Sequence, residues 1–456
     1  MHTDEAVHAC LLGEMFSGGA YAYNPTDFHG PSLYFLTKPF LKLFGVRILA
    51  DMEAWQLRLV PAILWSLLIF ILPLFKPGLG FAGVVAAAVM LSLAAPFVYF
   101  STDFIHESLF LLATMFGLAS GWRFLQGGEK RWAVACGVSV GFLIATKETF
   151  VLTAVAVGIA FVLSGEWKLV VIGKRRVLSG IGIAVAVALL LMAMFFTSFG
   201  AHPSGLWDFL TAGANFTSRA GGQGHEKPWW TYLEWFLAPT VRAVPYSGWI
   251  GAVLFVMGAV FTWGRPMVRF LVFFTGVIFA FYCAIPYKTP WLALSFLVPL
   301  VLVAGAGVDA LWSRFPRGRL VYACVFLVFA GLLLRESWLL CVKFSIDPEN
   351  PLAYAATSRD VTKVPDRVRV LLGDQATGEE VIQVVMADAW PLPWYLRKFP
   401  HVGYWTALPE KVDGAIVIAS PEIATQSLEG IPGYKFSGFY GLRPDVLALV
   451  FKREAQ

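Results

Sequence analysis

Long apolar runs separated by short polar segments constrain the fold of this chain more than any other feature of its sequence. About ten runs approach the roughly 20 residues that a helix needs to cross a ~30 Å hydrocarbon core. They lie near residues 57–75, 80–99, 105–123, 132–146, 150–164, 180–198, 246–263, 267–285, 291–311 and 319–341. Only 14% of the 456 residues are charged and 58% are apolar, whereas soluble domains carry about 25% charged residues. The sequence therefore predicts a mainly α-helical, polytopic membrane protein and excludes a water-soluble enzyme.

Basic residues are confined to alternate loops of the predicted bundle. Short cytoplasmic loops collect Lys and Arg, which places the loops that contain Arg131, Arg175, Arg265 and Arg317 inside. The N-terminal residues, the long loop 199–245 and the C-terminal tail then lie outside, as do all seven histidines. The histidine distribution has two explanations: an outward-facing site, or outer loops that are simply longer and more polar.

The bundle is flanked by two segments of different character. We expect an outer segment over residues 1–56 with an acidic motif and interfacial helices, a transmembrane bundle over 57–345, and an extracytoplasmic α/β accessory domain over 346–456. Segment 32–46 is too short and too basic to span, which favours an interfacial helix. In the tail, residue patterns predict strands at Val368–Leu372, Val381–Met386, Ala415–Ala419 and Val446–Lys452, and a short helix at Trp394–Lys398.

Two classes of site find no support in the sequence. Five cysteines form no CxxC pair, so neither a disulfide framework nor a thiolate metal site is predicted. No basic stripe favours a nucleic-acid partner. The expected partners are therefore membrane lipids and a substrate bound at the predicted outer face.

Acidic residues stand at two places on the predicted outer side. Asp4 and Glu5 are adjacent near the start of the chain, and a carboxylate beside a membrane can act as a base or bind a cation. Solvated surface charge is the alternative explanation of this pair. Glu107 follows His106 at the outer mouth of the third span, where an ionisable group indicates function or complements the helix dipole.

Lysines lie near the same face. Lys147 and Glu148 break an apolar stretch between two short predicted helices, and a charge pair at membrane depth is costly unless it is paired or useful. Lys288 is the single charge of an outer turn flanked by prolines, which suits an anionic ligand, although lysines near an interface commonly snorkel. His225 belongs to a tryptophan-rich segment of the long outer loop that is typical of an interfacial anchor.

Together these groups place acids, histidines and lysines on one face of a helical bundle. Such an arrangement suits transfer from a lipid-phosphate donor, because a carboxylate can deprotonate an acceptor hydroxyl while cations stabilise the departing phosphate. The chain resembles the GT-C superfamily of polyprenyl-phosphate-sugar-dependent membrane glycosyltransferases, which includes the protein O-mannosyltransferases and the lipid A aminoarabinose transferases. The motifs that carry the resemblance are Asp4-Glu5, His29-Gly-Pro31-Ser-Leu-Tyr34, Arg58-Leu-Val-Pro61, Glu107 and Ala145-Thr146-Lys147-Glu148.

The resemblance extends furthest to a branch described as flippase-activity-associated. It runs through three further segments: Gly224-His225-Glu226-Lys227-Pro228-Trp229, Pro286-Tyr287-Lys288-Thr289-Pro290-Trp291 and residues 390–397. The resemblance implies that Asp4 is the catalytic base with Glu5 in support, and that Glu107 is the second outer acid. It implies a substrate-binding role, centred on the donor phosphate, for four residues: His29, Lys147, Lys288 and His225. A divalent metal is a candidate cofactor, with His106 and Glu107 as candidate ligands.

The resemblance implies an inverting glycosyltransferase of the plasma membrane, with the active face outside. The donor would be a polyprenyl-phosphate-linked sugar, and the acceptor a lipid, a glycan or a protein. Because relatives carry a membrane span before the acidic pair, we expect such a span upstream of Met1. The alternatives are a non-enzymatic lipid-linked-sugar flippase or flippase-associated protein, which would require a polar path through the bundle, and a scaffold for other glycosylation enzymes.

Overall fold

The computed structural model describes residues 1–18, 21–24, 29–166, 173–212, 226–237, 239–373, 378–425 and 433–454. Up to residue 338 the described chain is mostly α-helical. The helices are α1 Thr3–Phe16, α2 Ser32–Leu43, α3 Ala54–Phe70, α4 Lys76–Leu79, α5 Phe81–Leu93, α6 Ala95–Phe100, α7 Glu107–Gly127, α8 Lys130–Thr146, α9 Phe150–Ser164, α10 Lys174–Phe196, α11 Gly205–Thr211, α12 Thr231–Phe236, α13 Gly248–Phe261, α14 Pro266–Ala284, α15 Leu294–Arg314 and α16 Arg319–Trp338. A short hairpin, β1 Thr240–Val241 and β2 Val244–Pro245, lies between α12 and α13.

Within the described residues, six helical segments are long and apolar enough to cross a membrane. They are Ala54–Leu79, Glu107–Gly127, Lys174–Phe196, Pro266–Ala284, Pro290–Arg314 and Pro316–Lys343. Helices α5, α9 and α13 are apolar but shorter, with 10–17 residues. Each of the ten predicted runs falls on helical structure, and the interfacial segment forms α2. The predicted fold class, a helical membrane bundle with a small C-terminal sheet domain, is confirmed.

Helix α15 is the centre of the bundle and packs through glycine. A Cβ on Gly305 would clash with the carbonyl oxygen of Gly83 in α5, and one on Gly83 would lie 2.9 Å from the carbonyl oxygen of Gly305. Small residues let membrane helices approach at backbone distance. Near the C-terminal end of α15, Asp309 accepts a 2.9 Å hydrogen bond from Arg265, which is the N-cap residue of α14.

The C-terminal residues form a five-stranded mixed sheet. Its strands are β3 Ile382–Val385, β4 Val402–Trp405, β5 Ile416–Ala419, β6 Tyr434–Arg443 and β7 Val446–Arg453, in the order β4-β3-β5-β7-β6. Strand β3 is parallel to β4 and β5, whereas β7 is antiparallel to β5 and β6. Three short helices accompany them: α17 Val364–Leu372, α18 Leu392–Tyr395 and α19 Pro421–Ile423. Three predicted strands and the predicted short helix therefore correspond to observed elements.

The predicted strand at Val368–Leu372 is wrong, because these residues end helix α17. The buried side chains of α17 are Val364, Val368 and Leu371, and a spacing of four and then three places them on one helical face. A proline in the first turn and a glycine with φ +82° directly after the last turn mark the helix ends. Strands β4 and β6 were not predicted.

The C-terminal domain covers the end of the bundle where α1 and α2 lie, here called the capped end. Arg397 donates two hydrogen bonds, of 3.1 and 2.9 Å, to the carbonyl of Met52 and stacks 3.8 Å from the ring of Trp394. The imidazole Nε2 of His2 donates to the carbonyl of Tyr354 at 2.9 Å. The segment around Trp394, which is 2% exposed, therefore packs inward and joins the domain to the first segment of the chain.

Gly305→Ala tests the packing of α5 against α15. We expect a loss of about 1–3 kcal/mol of stability, because an added methyl forces two backbones apart. The thermal unfolding midpoint of the detergent-solubilised protein measures it. Gly331→Ala is the matched control, since nothing lies within 4 Å of a Cβ at that position in α16. Equal midpoints for the two variants would contradict this packing.

Candidate active site

Glu5 fixes the start of α1 at the capped end. Its carboxylate accepts two hydrogen bonds from Arg58, of 2.8 and 2.6 Å, and one of 3.1 Å from the backbone N–H of Phe104. The backbone N–H of His2 donates a fourth bond, of 2.7 Å, in a capping box. Burial alone would raise the pKa of Glu5, but the Arg58 guanidinium outweighs it and holds the pKa at about 2. Glu5 is therefore an ionised anchor that ties α1 to α3 and to the α6–α7 turn.

Asp4 differs from Glu5 in lacking a charged partner. It is half-buried, and none of the described residues forms a salt bridge with it. Its charge acts on His8, one helical turn further along α1, and on Tyr287 and Tyr354. Neighbouring Asp103 has a pKa well above its ordinary value, because its partial burial and the charge of Glu5 disfavour its ionised form. Within the described part of the chain, Asp4 thus has no charged partner, unlike the adjacent Glu5.

Glu107 and Lys147 form a buried ion pair. Glu107 begins α7 and Lys147 follows the last residue of α8; they are 6% and 5% exposed and in direct contact. Burial would lower the pKa of Lys147, but the Glu107 carboxylate reverses this and the pKa is raised. Lys147 is therefore cationic, and an ammonium group has three donors, of which Glu107 takes one.

The segment that carries His29 docks on the same break between α8 and α9. Gly30 donates its N–H to the carbonyl of Thr146 at 3.1 Å, and the hydroxyls of Ser32 and Thr146 are 2.7 Å apart. A Cβ on Gly30 would clash with the backbone of Ala145, so only glycine permits this approach. The docking places His29 Nδ1 2.9 Å from a carboxylate oxygen of Glu148.

Three histidines meet beside these pairs. The ring centroids of His8 and His106 are 4.7 Å apart, those of His29 and His106 5.3 Å, and those of His8 and His29 6.4 Å. The Tyr34 hydroxyl lies 2.8 Å from His8 Nδ1, and His106 Nε2 donates to the carbonyl of Gly30 at 3.0 Å. Burial, with the charge of His29, lowers the pKa of His8 to about 3, and burial with His8 holds that of His106 well below its ordinary value. His8 and His106 are therefore neutral near pH 7.

Lys288 is close to the site but its donors are engaged elsewhere. Its ammonium group donates to the carbonyls of Tyr282, Cys283 and Ile285 at 3.3, 2.9 and 2.5 Å, at the C-terminus of α14. The residue is fully buried, and burial lowers its pKa. The structure thus brings Asp4, Glu5, His29, Glu107 and Lys147 together, with Lys288 capping an adjacent helix. His225 lies outside the described residues.

The described residues at the capped end do not form a metal-binding site. Among the residues that the structure describes, no group of three or more His, Cys, Asp or Glu side chains is placed to hold a metal ion. The two candidate ligands have other partners, because His106 bonds to Gly30 and Glu107 pairs with Lys147. The site is built from hydrogen bonds and ion pairs between side chains.

Sequence reasoning did not assign roles to His8, Tyr34 or Arg58. Two signals point to His8 and Arg58. His8 follows Asp4 by four residues, which places both on one face of a helix, and Arg58 is a charge within a predicted span, where charges indicate function or a partner. No local signal marks Tyr34, because its contact with His8 joins two helices.

Comparisons with known proteins were made for sequence and for structure. Residues 28–212 match a family model described as dolichyl-phosphate-mannose-protein mannosyltransferase. A search of curated proteins found no match. The chain is similar to ArnT from Cupriavidus metallidurans bound to undecaprenyl phosphate, with 16% identity, a TM-score of 0.68, and coverage of 98% of this chain and 93% of that chain. The chain has the GT-C fold.

Two further solved structures share this fold. The archaeal oligosaccharyltransferase AglB from Archaeoglobus fulgidus, in complex with an inhibitory peptide and a dolichol-phosphate, has a TM-score of 0.56 at 11% identity, with coverage of 96% of this chain and 69% of that chain. Arabinofuranosyltransferase AftD from Mycobacteria has a TM-score of 0.51 at 13% identity, covering 100% of this chain and 38% of that chain. The fold that the sequence motifs suggested is confirmed.

Because His8 and His106 are neutral in the folded protein, we expect the stability of the protein to depend on pH. The pKa of His8 is lower in the folded protein, about 3, than in the unfolded chain, about 6.5. The unfolded chain therefore binds a proton first as pH falls, and stability is lost from pH ~6.5 downward by about 1.4 kcal/mol per pH unit for each such group. Thermal midpoints measured between pH 8 and pH 5 should fall on the acidic side.

His8→Asn should make this pH dependence shallower by one proton's contribution. Asparagine keeps a polar group near the Tyr34 hydroxyl but does not titrate. His401→Asn, at an exposed histidine of the C-terminal domain, should leave the slope as in the unmodified protein. If the slope of the His8 variant matched that of the control, the assignment of a neutral buried His8 would be wrong.

Proposed function

We propose that the chain is an integral membrane glycosyltransferase. It moves a sugar from a polyprenyl-phosphate donor to an acceptor hydroxyl on the extracytoplasmic face of the plasma membrane. The observation that carries this is made at the capped end: Asp4 has a carboxylate without a salt-bridge partner among the described residues, and its charge and that of the cationic Lys147 act on the same two neighbours, His8 and Tyr287. A base for the acceptor and a cation for a phosphate thus lie in one site of a GT-C fold.

The donor phosphate is assigned to Lys147 and His29. Lys147 has two donors beyond the one that Glu107 occupies, and the His29 side chain is 33% exposed, so a ligand can reach it. Glu107 holds the Lys147 ammonium in place, and Glu148 does the same for the imidazole of His29. The undecaprenyl phosphate and dolichol-phosphate bound by ArnT and AglB support a lipid phosphate here.

A single displacement accounts for the chemistry. The acceptor oxygen bonds to the anomeric carbon as its proton passes to Asp4, while the bond from that carbon to the phosphate oxygen breaks. The phosphate leaves with the electron pair and one more negative charge, which Lys147 stabilises. Retention by double displacement would require a carboxylate as nucleophile, and Glu5 and Glu107 are engaged by Arg58 and Lys147 respectively. The single displacement that we propose inverts the anomeric configuration.

An apolar cavity within the bundle is the proposed binding site for the lipid chain of the donor. Its volume is about 370 Å³, and it lies among α5 and α12 to α16, lined by residues that include Met90, Phe255, Gly276, Phe296 and Leu333. Its wall reaches Tyr232, whose ring centroid is 5.7 Å from the Lys288 ammonium. A linear hydrocarbon suits such a lining, and we assign the cavity to the isoprenoid chain.

The distribution of charge favours transfer over flipping. A flippase requires a polar route across the bundle, whereas Asp309 and Glu166, two buried acids at the opposite end, are paired with Arg265 and Arg269. Basic residues at that end also support its assignment to the cytoplasmic side. The capped end, with Asp4, is then extracytoplasmic.

Asp4→Asn tests the base. We expect transfer to fall about 10²–10⁴-fold, the usual contribution of general base catalysis, while binding of undecaprenyl phosphate stays intact. Proteoliposomes supplied with polyprenyl-phosphate sugars and membrane extract as acceptor give the rate. Glu14→Gln, an exposed acid on the same helix, is the control and should retain full activity. Unchanged transfer by the Asp4 variant would remove Asp4 from the mechanism.

Gly276→Phe tests the cavity. A Cβ at Gly276 meets nothing within 4 Å, so a phenyl ring can enter the cavity and displace the lipid chain. We expect affinity for undecaprenyl phosphate to weaken about tenfold, which is 1.4 kcal/mol, and affinity for geranyl phosphate to change little. Gly331→Phe, at an equally open position that does not line the cavity, is the control. Equal effects on both lipids would exclude this cavity.

A further inference from the structure

Residues 226–229 and 286–291, which belong to two of the segments that carry the family resemblance, have no part in the mechanism above. They pair with each other: Glu226 and Tyr287 form an antiparallel bridge, and the N–H of Lys227 donates to the carbonyl of Pro286 at 3.1 Å. Lys288 ties the second segment to the end of α14 by three hydrogen bonds. Both segments are therefore held at fixed positions at the capped end.

Aromatic side chains line this part of the capped end. We call His2, Tyr287, Trp291 and Tyr354 the aromatic wall. The ring centroids of His2 and Trp291 are 5.7 Å apart, and those of Trp291 and Tyr354 6.0 Å. Behind them Phe100 is 2% exposed and lies 6.2 Å from Trp291. All four members of the wall keep partial exposure, so the wall is a surface backed by the core.

His2 of the wall and His8 of the histidine cluster lie on either side of Asp4 along the first half of α1. His2 precedes the helix and His8 follows by six residues, which is about 9 Å along the axis at 1.5 Å per residue, and Asp4 lies between them. The charge of Asp4 acts on Tyr287 and Tyr354 of the wall, and the charge of Lys147 acts on both Tyr287 and His8. The wall therefore lies beside the proposed base and beside the proposed phosphate ligand. An acceptor whose hydroxyl meets Asp4 has the wall next to it.

We propose that the aromatic wall is the acceptor subsite and that the acceptor is a saccharide; this inference rests on the proposed function. One face of a sugar ring carries C–H groups and packs on aromatic rings, while its hydroxyls point to the rim. Tyrosine and tryptophan supply such a large apolar face with a polar tip. Lys227, whose ammonium is 5.5 Å from the ring centroid of Tyr354, and Asp4 supply a donor and an acceptor for the hydroxyls.

A peptide acceptor has less to gain at this wall. The side chain of a serine or threonine presents a single hydroxyl and no flat C–H face, so it would leave Trp291 and Tyr354 without a matching surface. A sugar ring uses both the faces of the rings and the polar groups at their edge.

The experiment uses the full chain in lipid nanodiscs that contain undecaprenyl phosphate. The probes are an immobilised panel of oligosaccharides and a matched panel of serine- and threonine-containing peptides. We expect binding to oligosaccharides, weakened at least tenfold by Trp291→Ala and largely kept by Trp291→Phe. Phe439→Ala removes an aromatic side chain that is 66% exposed on β6, and this control should bind as the unmodified protein does.

Folding and function are monitored separately in the same preparations. Thermal midpoints check that each variant is folded, and Tyr354→Leu replaces Trp291→Ala if the latter unfolds. Binding to the peptides instead of the oligosaccharides, no binding to any oligosaccharide, or binding that the wall variants leave unchanged would overturn the inference. Undecaprenyl phosphate affinity and the effect of Asp4→Asn on transfer test the proposed function independently, so its failure is distinguishable from failure of the acceptor assignment.

Discussion

The buried ion pair of Glu107 and Lys147 determines how this site is built. Taking two charges out of water costs several kcal/mol for each ion, and only close pairing offsets it. The pair occurs where the apolar stretch around residue 147 departs from helix: Lys147 has extended backbone angles, φ −157° and ψ 141°. Helices α8 and α9 are accordingly short, with 17 and 15 residues. The interruption exposes the carbonyl of Thr146, which Gly30 then binds.

The docking of Gly30 organises the rest of the capped end. It sets His29 against Glu148 and offers its own carbonyl to His106, which brings the three histidines into contact. The α1 helix is attached independently, through Glu5 and Arg58. In this arrangement Glu5, Glu107 and Glu148 each have a partner, Arg58, Lys147 and His29 respectively, and the buried histidines His8 and His106 stay neutral. The engagement of these neighbours is the reason why we propose Asp4 as the reactive carboxylate.

The membrane fold follows from the sequence because hydrophobic length is a local property. All ten apolar runs fall on helices, and even the polar break at Lys147 is visible in the sequence as a charge pair within an apolar stretch. The C-terminal domain was predicted less well. Alternation in Val368–Leu372 is compatible with a strand or with one face of a helix, and only the packing of Val364, Val368 and Leu371 together decides between them.

The site residues show the same contrast between what local sequence reveals and what only tertiary packing reveals. Asp4, Glu107 and Lys147 could be named from the sequence, because a charge beside or within an apolar run is conspicuous. The pairing of Glu107 with Lys147 could not be predicted from the sequence, because the two residues are 40 positions apart. His8 and Tyr34 were missed for the same reason: a histidine on a short, weakly amphipathic helix gains meaning only from the tyrosine and histidines that tertiary packing brings to it.

Lys288 supports the proposed phosphate site without contacting the phosphate itself. Helix α14 ends at the capped end, and the free carbonyls of a helix C-terminus carry a partial negative charge that disfavours an anion nearby. Lys288 places its ammonium on three of these carbonyls, and so cancels that charge beside Tyr282, a residue on which the charge of Lys147 acts. The same contacts hold Tyr287 and Trp291 in position. One buried cation thereby supports the proposed phosphate site through the helix end and the proposed acceptor site through the turn that it anchors.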